Sequence, residues 1–120
     1  MKLVVVVDDV ESIRESLPDL LRMLGYAARA FLSAQDFLAS DCIPETRCLI
    51  LDIAMPDMSG PELQRELIRR GHRIPTIFIT AVGDKKIRAS LLRQGAVACL
   101  FKPFSQQDLI TALATAVPQT

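Results

Sequence analysis

Three short runs in this sequence are apolar at every position: Val4–Val7, Leu49–Leu51 and Ile77–Ile79. A strand with one face in water alternates apolar and polar residues, so an unbroken apolar run indicates a strand buried on both faces. Strands of that kind occur in parallel sheets that helices cover on either side. These runs therefore favour an α/β architecture built around a central parallel sheet.

One pattern, a strand-like run followed by an amphipathic helical stretch, occurs five times along the 120 residues. The predicted strands are Leu3–Val7, Ala27–Phe31, Cys48–Leu51, Ile74–Ile79 and Val97–Phe101. Parallel neighbours need a crossover between them, and a helix after each strand supplies it. We predict a doubly wound (βα)5 fold with a five-stranded parallel sheet in the order 2-1-3-4-5, and we assign residues 1–120 to a single domain.

Three of the predicted helices begin with the same device, a serine three residues before a carboxylate. The pairs are Ser33 and Asp36, Ser59 and Glu62, and Ser105 and Asp108. A serine at the N-cap accepts a hydrogen bond from the third helical amide, and the carboxylate bonds back to the serine amide, which forms a capping box. The device predicts where these three helices start.

The composition excludes several classes of protein. Fourteen basic and fourteen acidic residues cancel, so we expect no direct nucleic-acid binding, which needs a basic surface. Apolar runs fall far short of the roughly 18 residues of a membrane span. Leu3–Val7 is too short for a signal peptide, which favours a cytoplasmic location.

Cys42, Cys48 and Cys99 lack disulfide or zinc spacing and are expected to be reduced and buried.

Polar side chains of chemically reactive types follow four of the five predicted strands. Asp8 and Asp9 end the first strand, Asp52 the third, Thr80 the fourth and Lys102 the fifth. In open α/β sheets ligands bind beyond the carboxyl ends of the strands. With the order 2-1-3-4-5 these four strands are neighbours, so the sequence predicts one site at this edge of the sheet.

The grouping of three carboxylates at that edge implies a cation, because like charges in close contact raise one another's pKa. An all-oxygen ligand set suits Mg²⁺ better than zinc. Lys102 adds a fixed positive charge. Two such cations would neutralise a phosphoryl group in transfer to a carboxylate, and we predict that Asp52 is the nucleophile.

Four motifs carry a resemblance that spans the whole chain: Asp8-Asp9, the segment from Asp52 to Gly60, Thr80-Ala81, and Lys102-Pro103-Phe104. In order and spacing they resemble the receiver domain of two-component response regulators, which has the flavodoxin/CheY-like fold. The segments M-P-D-M-S-G-x-E-L and G-A-V-x-x-L-x-K-P-F are similar to the FixJ-like branch of that family.

The resemblance implies a phosphorylation-activated signalling switch. Asp52 would accept phosphate from a histidine kinase or a small phosphodonor, with Thr80 and Lys102 bonding the product. Mg²⁺ would be held by Asp8, Asp9, Asp52 and the carbonyl of Ala54. The Lys102–Pro103 bond is expected to be cis. The chain would catalyse its own phosphorylation and dephosphorylation without being a conventional turnover enzyme.

The resemblance also implies an output surface around the fourth helix, fifth strand and fifth helix. Phosphorylation would alter this surface and control an effector, most simply a transcription-regulating domain absent from this chain. Phosphorylation-dependent dimerisation belongs to the same expectation. A stand-alone single-domain receiver is the alternative, and the cognate kinase and target are not defined by these residues.

Two positions depart from the family pattern. Cys99 stands where a switch aromatic is usual, and Phe101 lies on the same face of the predicted strand, nearer the site. Ala54 cannot orient a hydrolytic water by its side chain, which leaves the phosphate lifetime open. Ala54 also argues against an aspartyl-nucleophile phosphatase, which needs a second Asp there. A pseudo-receiver, an interaction module without phosphotransfer, is the remaining alternative.

Overall fold

In the computed structural model, which describes residues 1–81, 83 and 85–118, five parallel strands form one sheet. They are β1 (Leu3–Val7), β2 (Ala27–Phe31), β3 (Thr46–Asp52), β4 (Thr76–Thr80) and β5 (Ala98–Phe101). The order is β2-β1-β3-β4-β5, which confirms the predicted doubly wound topology. The predicted domain end at Thr120 lies outside the described residues.

Three strands have bounds that differ from the sequence-based prediction, the smallest difference being that β5 begins at Ala98 instead of Val97. β4 begins at Thr76 instead of Ile74, because Pro75 has no N–H with which to join a ladder. The carbonyl of Pro75 nevertheless accepts from the Leu49 amide at 2.9 Å. β3 is longer than predicted at both ends and includes Asp52 as its last residue. The strand therefore delivers Asp52 to the edge of the sheet in ladder geometry.

The described residues also form five α-helices and one short 3₁₀ helix, Ile43–Glu45. The α-helices are α1 (Glu11–Met23), α2 (Ala34–Leu38), α3 (Gly60–Arg69), α4 (Lys85–Arg93) and α5 (Gln106–Ala116). None of the helices in this part of the chain has the length and apolar character needed to cross a bilayer.

Alternate residues of β1 enter two separate hydrophobic cores. Val4 and Val6 join the core that α1 and α5 cover, whereas Val5 and Val7 join the core that α2, α3 and α4 cover. The central strands thus bury both faces, as their unbroken apolar runs predict. The sheet lies between two helical layers, so the helices cover its faces and a site can form at its carboxyl edge.

The predicted helix starts are confirmed. Ser33, Ser59 and Ser105 each cap a helix by accepting from the amide three residues on. At Ser59 the Glu62 carboxylate also accepts from the serine amide at 3.1 Å, which completes a capping box. Glycines at positive φ follow the ends of α1, α3 and α4: Gly25, Gly71 and Gly95.

All three cysteines of the described chain are free and buried, in agreement with their spacing. Burial raises the pKa of the Cys48 thiol to about 12. An apolar environment disfavours the thiolate, which is the reactive form. Cys48 therefore packs as a small apolar side chain within the core beneath α1 and α5.

Candidate functional site

The residues that end β1, β3, β4 and β5 meet at one edge of the sheet. Adjacent strand ends are joined by backbone bonds: the Ile53 amide donates to the Ile79 carbonyl at 3.0 Å, and the Lys102 amide donates to the Thr80 carbonyl at 2.7 Å. The remaining strand, β2, lies at the far edge and ends in apolar residues. The topology therefore collects the predicted site residues and leaves β2 outside the site.

Asp8, Asp9 and Asp52 form the centre of this site. One carboxylate oxygen from each lies within 4.8 Å of the others. Asp8 is fully buried and Asp52 is 6% exposed, whereas Asp9 is exposed. The Val10 amide donates to Asp8 Oδ1 at 2.8 Å, so the start of α1 holds the buried carboxylate directly.

Lys102 brings a positive charge from β5 into the cluster. Its Nζ donates to Asp8 Oδ2 at 3.0 Å and lies 3.8 Å from Asp52 Oδ1. The Lys102–Pro103 peptide bond is cis, as predicted. One cation thus stands between two buried carboxylates, and Asp8 is its nearer partner.

The pKa of Asp52 is raised to about 6, well above the usual value for an aspartate. Burial is the largest cause, and the negative charge of Asp8 is the next. Lys102 opposes the shift, while Asp9 adds to it through its charge and a side-chain hydrogen bond. The cluster therefore carries more negative charge than one lysine compensates.

This donor set fits Mg²⁺. The ion takes oxygen ligands and is bound in proteins through one or a few carboxylates while it keeps several waters. Asp8, Asp9 and Asp52 supply carboxylate oxygens, and the exposure of Asp9 leaves one side of the cluster accessible to solvent. Ala54 lies exposed in the loop after β3. The assignment of the Ala54 carbonyl as a further Mg²⁺ ligand stays a prediction.

The loop after β3 is packed tightly against Asp52. A Cβ added to Gly60 would lie 2.4 Å from the Asp52 carbonyl oxygen, so only glycine fits this approach. Asp57 has a positive φ of 69°, and the Met58 amide donates to the Pro56 carbonyl at 2.8 Å, which together form a γ-turn. Sequence reasoning used Gly60 only as part of a motif and missed this contact.

Thr80 is 5% exposed and pairs with Phe101 in the β4–β5 register. Cys99 is 2% exposed and lies in the same core cluster as Phe101, which confirms that both face one side of β5. The Phe101 ring is partly buried, and the Arg88 guanidinium of α4 lies 5.6 Å from its centroid. The Phe101 ring therefore connects β5 to α4 at the residue directly before Lys102.

Residues 4–114 match the response regulator receiver domain. This match covers nearly the whole chain, and the strand order and the acidic edge agree with it. The chain belongs to the response regulator receiver domain family. Receiver domains generally bind Mg²⁺ at an acidic pocket, and Asp8, Asp9 and Asp52 form such a cluster here.

Two curated relatives are similar in sequence. The transcriptional regulatory protein TdiR of Thauera aromatica is 41% identical over 114 residues, covering 95% of this chain and 50% of that protein. The transcriptional regulatory protein FixJ of Rhizobium meliloti (strain 1021) is 40% identical over 108 residues, covering 90% of this chain and 53% of that protein. The chain thus spans about half the length of these relatives.

Solved structures agree with this assignment. The crystal structure of FixJ-N superposes with a TM-score of 0.84 at 40% identity, covering 97% of this chain and 93% of that chain. The low-resolution structure of response regulator StyR gives a TM-score of 0.84 at 42% identity, covering 97% of this chain and 59% of that chain. Both support the FixJ-like resemblance.

Proposed function

We propose that this chain is a phosphorylation-dependent switch in which Asp52 accepts a phosphoryl group from a histidine kinase in the cytoplasm. One observation carries the proposal: Lys102 Nζ lies within 4 Å of carboxylate oxygens from both Asp8 and Asp52, beside the exposed Asp9. The site therefore already holds a carboxylate that can attack and a lysine whose positive charge can offset part of the charge of a dianionic phosphoryl group.

In the transfer, an Oδ atom of Asp52 attacks the phosphorus atom of the donor. The bond from phosphorus to the imidazole nitrogen of a phosphohistidine breaks, and its electron pair leaves with the imidazole, which takes up a proton. Asp52 becomes an acyl phosphate. The attacking carboxylate must be ionised, and with a pKa of about 6 most molecules meet this condition at pH 7.

The remaining site residues neutralise and bond the transferred group. Asp8, Asp9, Asp52 and the carbonyl of Ala54 would hold Mg²⁺, whose charge offsets that of the phosphoryl oxygens. Lys102 is a fixed cation between Asp8 and Asp52. Thr80 ends the neighbouring strand, and we assign its hydroxyl to the phosphorylated state as a donor to a phosphoryl oxygen.

The proposed output is control of a downstream effector. The relatives named above are transcriptional regulatory proteins about twice as long as this chain. We therefore propose that Asp52 phosphorylation changes the surface of α4, β5 and α5 and thereby regulates a transcription effector. Dimerisation of the Asp52-phosphorylated protein through this surface is part of the same proposal.

The first test is the intact mass of the protein after incubation with MgCl₂ and acetyl phosphate. We expect a gain of one phosphoryl group, about 80 Da, that requires the metal ion. Asp52→Asn should abolish the gain. Asp57→Asn is the matched control, because it makes the same change five residues away at an exposed turn where asparagine tolerates the positive φ.

A gain of mass that survives in Asp52→Asn would contradict the assignment of the acceptor. A wild-type protein that takes up phosphate neither from acetyl phosphate nor from a phosphorylated histidine kinase would favour the pseudo-receiver alternative. Steady release of inorganic phosphate from a phosphomonoester would instead indicate a phosphatase.

A further inference from the structure

Arg14 reaches back from the first turn of α1 to the end of β1. Its Nη1 donates to the backbone carbonyl of Asp8 at 3.1 Å, and its side chain is half-buried. Its own amide donates to the Val10 carbonyl at 3.2 Å. Arg14 therefore closes the turn between β1 and α1 from both its main chain and its side chain.

This contact fixes the peptide group that carries Asp9. The Asp8 carbonyl and the Asp9 nitrogen share one planar unit, so a bond to that carbonyl restricts the position of the Asp9 Cα atom. The Asp8 carboxylate has its own partners in the Val10 amide and Lys102. The Asp9 side chain is exposed and contacts only Asp52 among the groups named here, so its placement depends more strongly on the backbone.

We propose that Arg14 is a positioning residue for Mg²⁺: its bond to the Asp8 carbonyl holds Asp9 where its carboxylate joins those of Asp8 and Asp52 around the ion. The inference rests on the proposed function, since it assigns the acidic cluster to Mg²⁺. Because this donor is directed to a main-chain carbonyl, it leaves the carboxylate oxygens for the cation.

The sign of the effect separates positioning from electrostatics. If Arg14 acted only through its charge, its removal would reduce repulsion of a divalent cation and tighten Mg²⁺ binding. If Arg14 positions Asp9, its removal releases the β1–α1 turn and weakens binding. Loss of a residue that orients a metal ligand commonly lowers metal affinity by about tenfold or more.

The chain offers a matched control in Arg22, near the other end of α1. Its Nη2 donates to the backbone carbonyl of Ala28 at 2.9 Å. Arg22→Met therefore removes the same kind of helix-to-strand bond from the same helix, away from the acidic cluster. Arg22 Nη1 also donates to Asp19 Oδ1 at 3.1 Å, so the general cost of losing such bonds is at least as large in this control.

The experiment is a titration of metal-free protein with MgCl₂, followed by amide chemical shifts, on wild type, Arg14→Met, Arg14→Gln, Arg14→Lys and Arg22→Met. Thermal unfolding without metal checks that each variant is folded. We expect Arg14→Met and Arg14→Gln to bind Mg²⁺ about tenfold more weakly. Arg14→Lys, which keeps a donor on a slightly shorter chain, should recover part of the affinity, and Arg22→Met should stay within about twofold of wild type.

Phosphorylation by acetyl phosphate at increasing MgCl₂ supplies a second readout. In Arg14→Met the MgCl₂ concentration at half-maximal rate should rise about tenfold, while the maximal rate stays within about twofold, because Asp52 and Lys102 are intact. Arg14→Gln provides the same comparison should the methionine variant fail to fold.

Two results would overturn the inference. Unchanged or tighter Mg²⁺ binding in Arg14→Met and Arg14→Gln, with wild type still binding the ion and accepting phosphate, removes the role of Arg14 and leaves the proposed function standing. A wild type that neither binds Mg²⁺ nor accepts phosphate overturns both.

Discussion

Two carboxylates in this protein have pKa values displaced in opposite directions. The pKa of Asp52 at the carboxyl edge of the sheet is raised to about 6, whereas that of Glu66 on α3 is lowered to about 2. Both have a basic residue nearby. The difference lies in burial and in the sign of the other neighbours.

Glu66 is half-buried at the surface of α3, beside two exposed arginines. Arg69 Nη2 lies 2.5 Å and Arg70 Nε 2.7 Å from Glu66 Oε2, so hydrogen bonds and charge both favour the ionised form. Asp52 is buried beside Asp8, and its lysine partner is 3.8 Å away. The arginines balance the charge of Glu66, and this surface cluster of Glu66, Arg69 and Arg70 contributes little to stability. The buried cluster has excess negative charge, which a bound cation would offset.

The largest effect is expected from Lys102→Met, which removes the positive charge between two buried carboxylates. Breaking a buried ion pair on one side typically costs about 3 kcal/mol or more. We expect a loss of this size in the free energy of unfolding, measured by urea denaturation without metal at pH 7. Lys102→Arg keeps the charge and should lose less; an equal loss in both variants would contradict the electrostatic explanation.

Asp52→Asn should stabilise the metal-free protein at pH 7.5 by about 2 to 3 kcal/mol, since each unit of pKa displacement corresponds to about 1.4 kcal/mol. The pKa of Asp52 in the folded state lies above its unfolded value, so ionised Asp52 destabilises the fold above pH 6. That cost disappears as the pH falls from 6 towards 4. Urea denaturation at pH 7.5 and pH 4 should show the advantage of Asn only at the higher pH.

Mg²⁺ affinity should fall by about tenfold between pH 7.5 and pH 5, because protons compete with the ion for Asp52. Calorimetry near pH 6 in two buffers of different ionisation enthalpy should detect proton release on binding. Glu66→Gln is the matched control, since its carboxylate lies outside the acidic cluster. Affinity that is independent of pH would argue against Asp52 as a ligand.

The smallest effect is expected from Glu66→Gln, because exposed ion pairs are screened by solvent and salt. At pH 7 the midpoint of thermal unfolding should shift by about 1 °C or less. The lowered pKa of Glu66 places its stabilising contribution above its unfolded pKa, and the contribution is lost as the pH falls towards 2. On acidification the fold should therefore lose the stabilising contribution of Glu66, whereas the destabilising effect of ionised Asp52 should disappear. Changes of the same sign in the free energy of unfolding would contradict this contrast between the two clusters.

Much of the fold could be predicted from the sequence because local chemistry decides it. Unbroken apolar runs identified buried parallel strands, and β1 and β2 have the predicted bounds. Ser59 with Glu62 marked a helix start through contacts three residues apart. The predicted strand order then accounted for β2 alone ending in apolar residues, since only adjacent strands bring their ends together.

The membership of the candidate site was predictable for the same topological reason, but its geometry required the tertiary structure. That Lys102 bonds Asp8 more closely than Asp52 depends on a contact between residues 94 apart in the chain. The approach of Gly60 to the Asp52 carbonyl and the bond of Arg14 to the Asp8 carbonyl are decided by how α3 and α1 pack on the sheet. Sequence patterns encode which side chains reach the edge, because periodicity and capping act over a few residues. Burial, charge separation and the raised pKa of Asp52 arise only when distant strands and helices close around that edge.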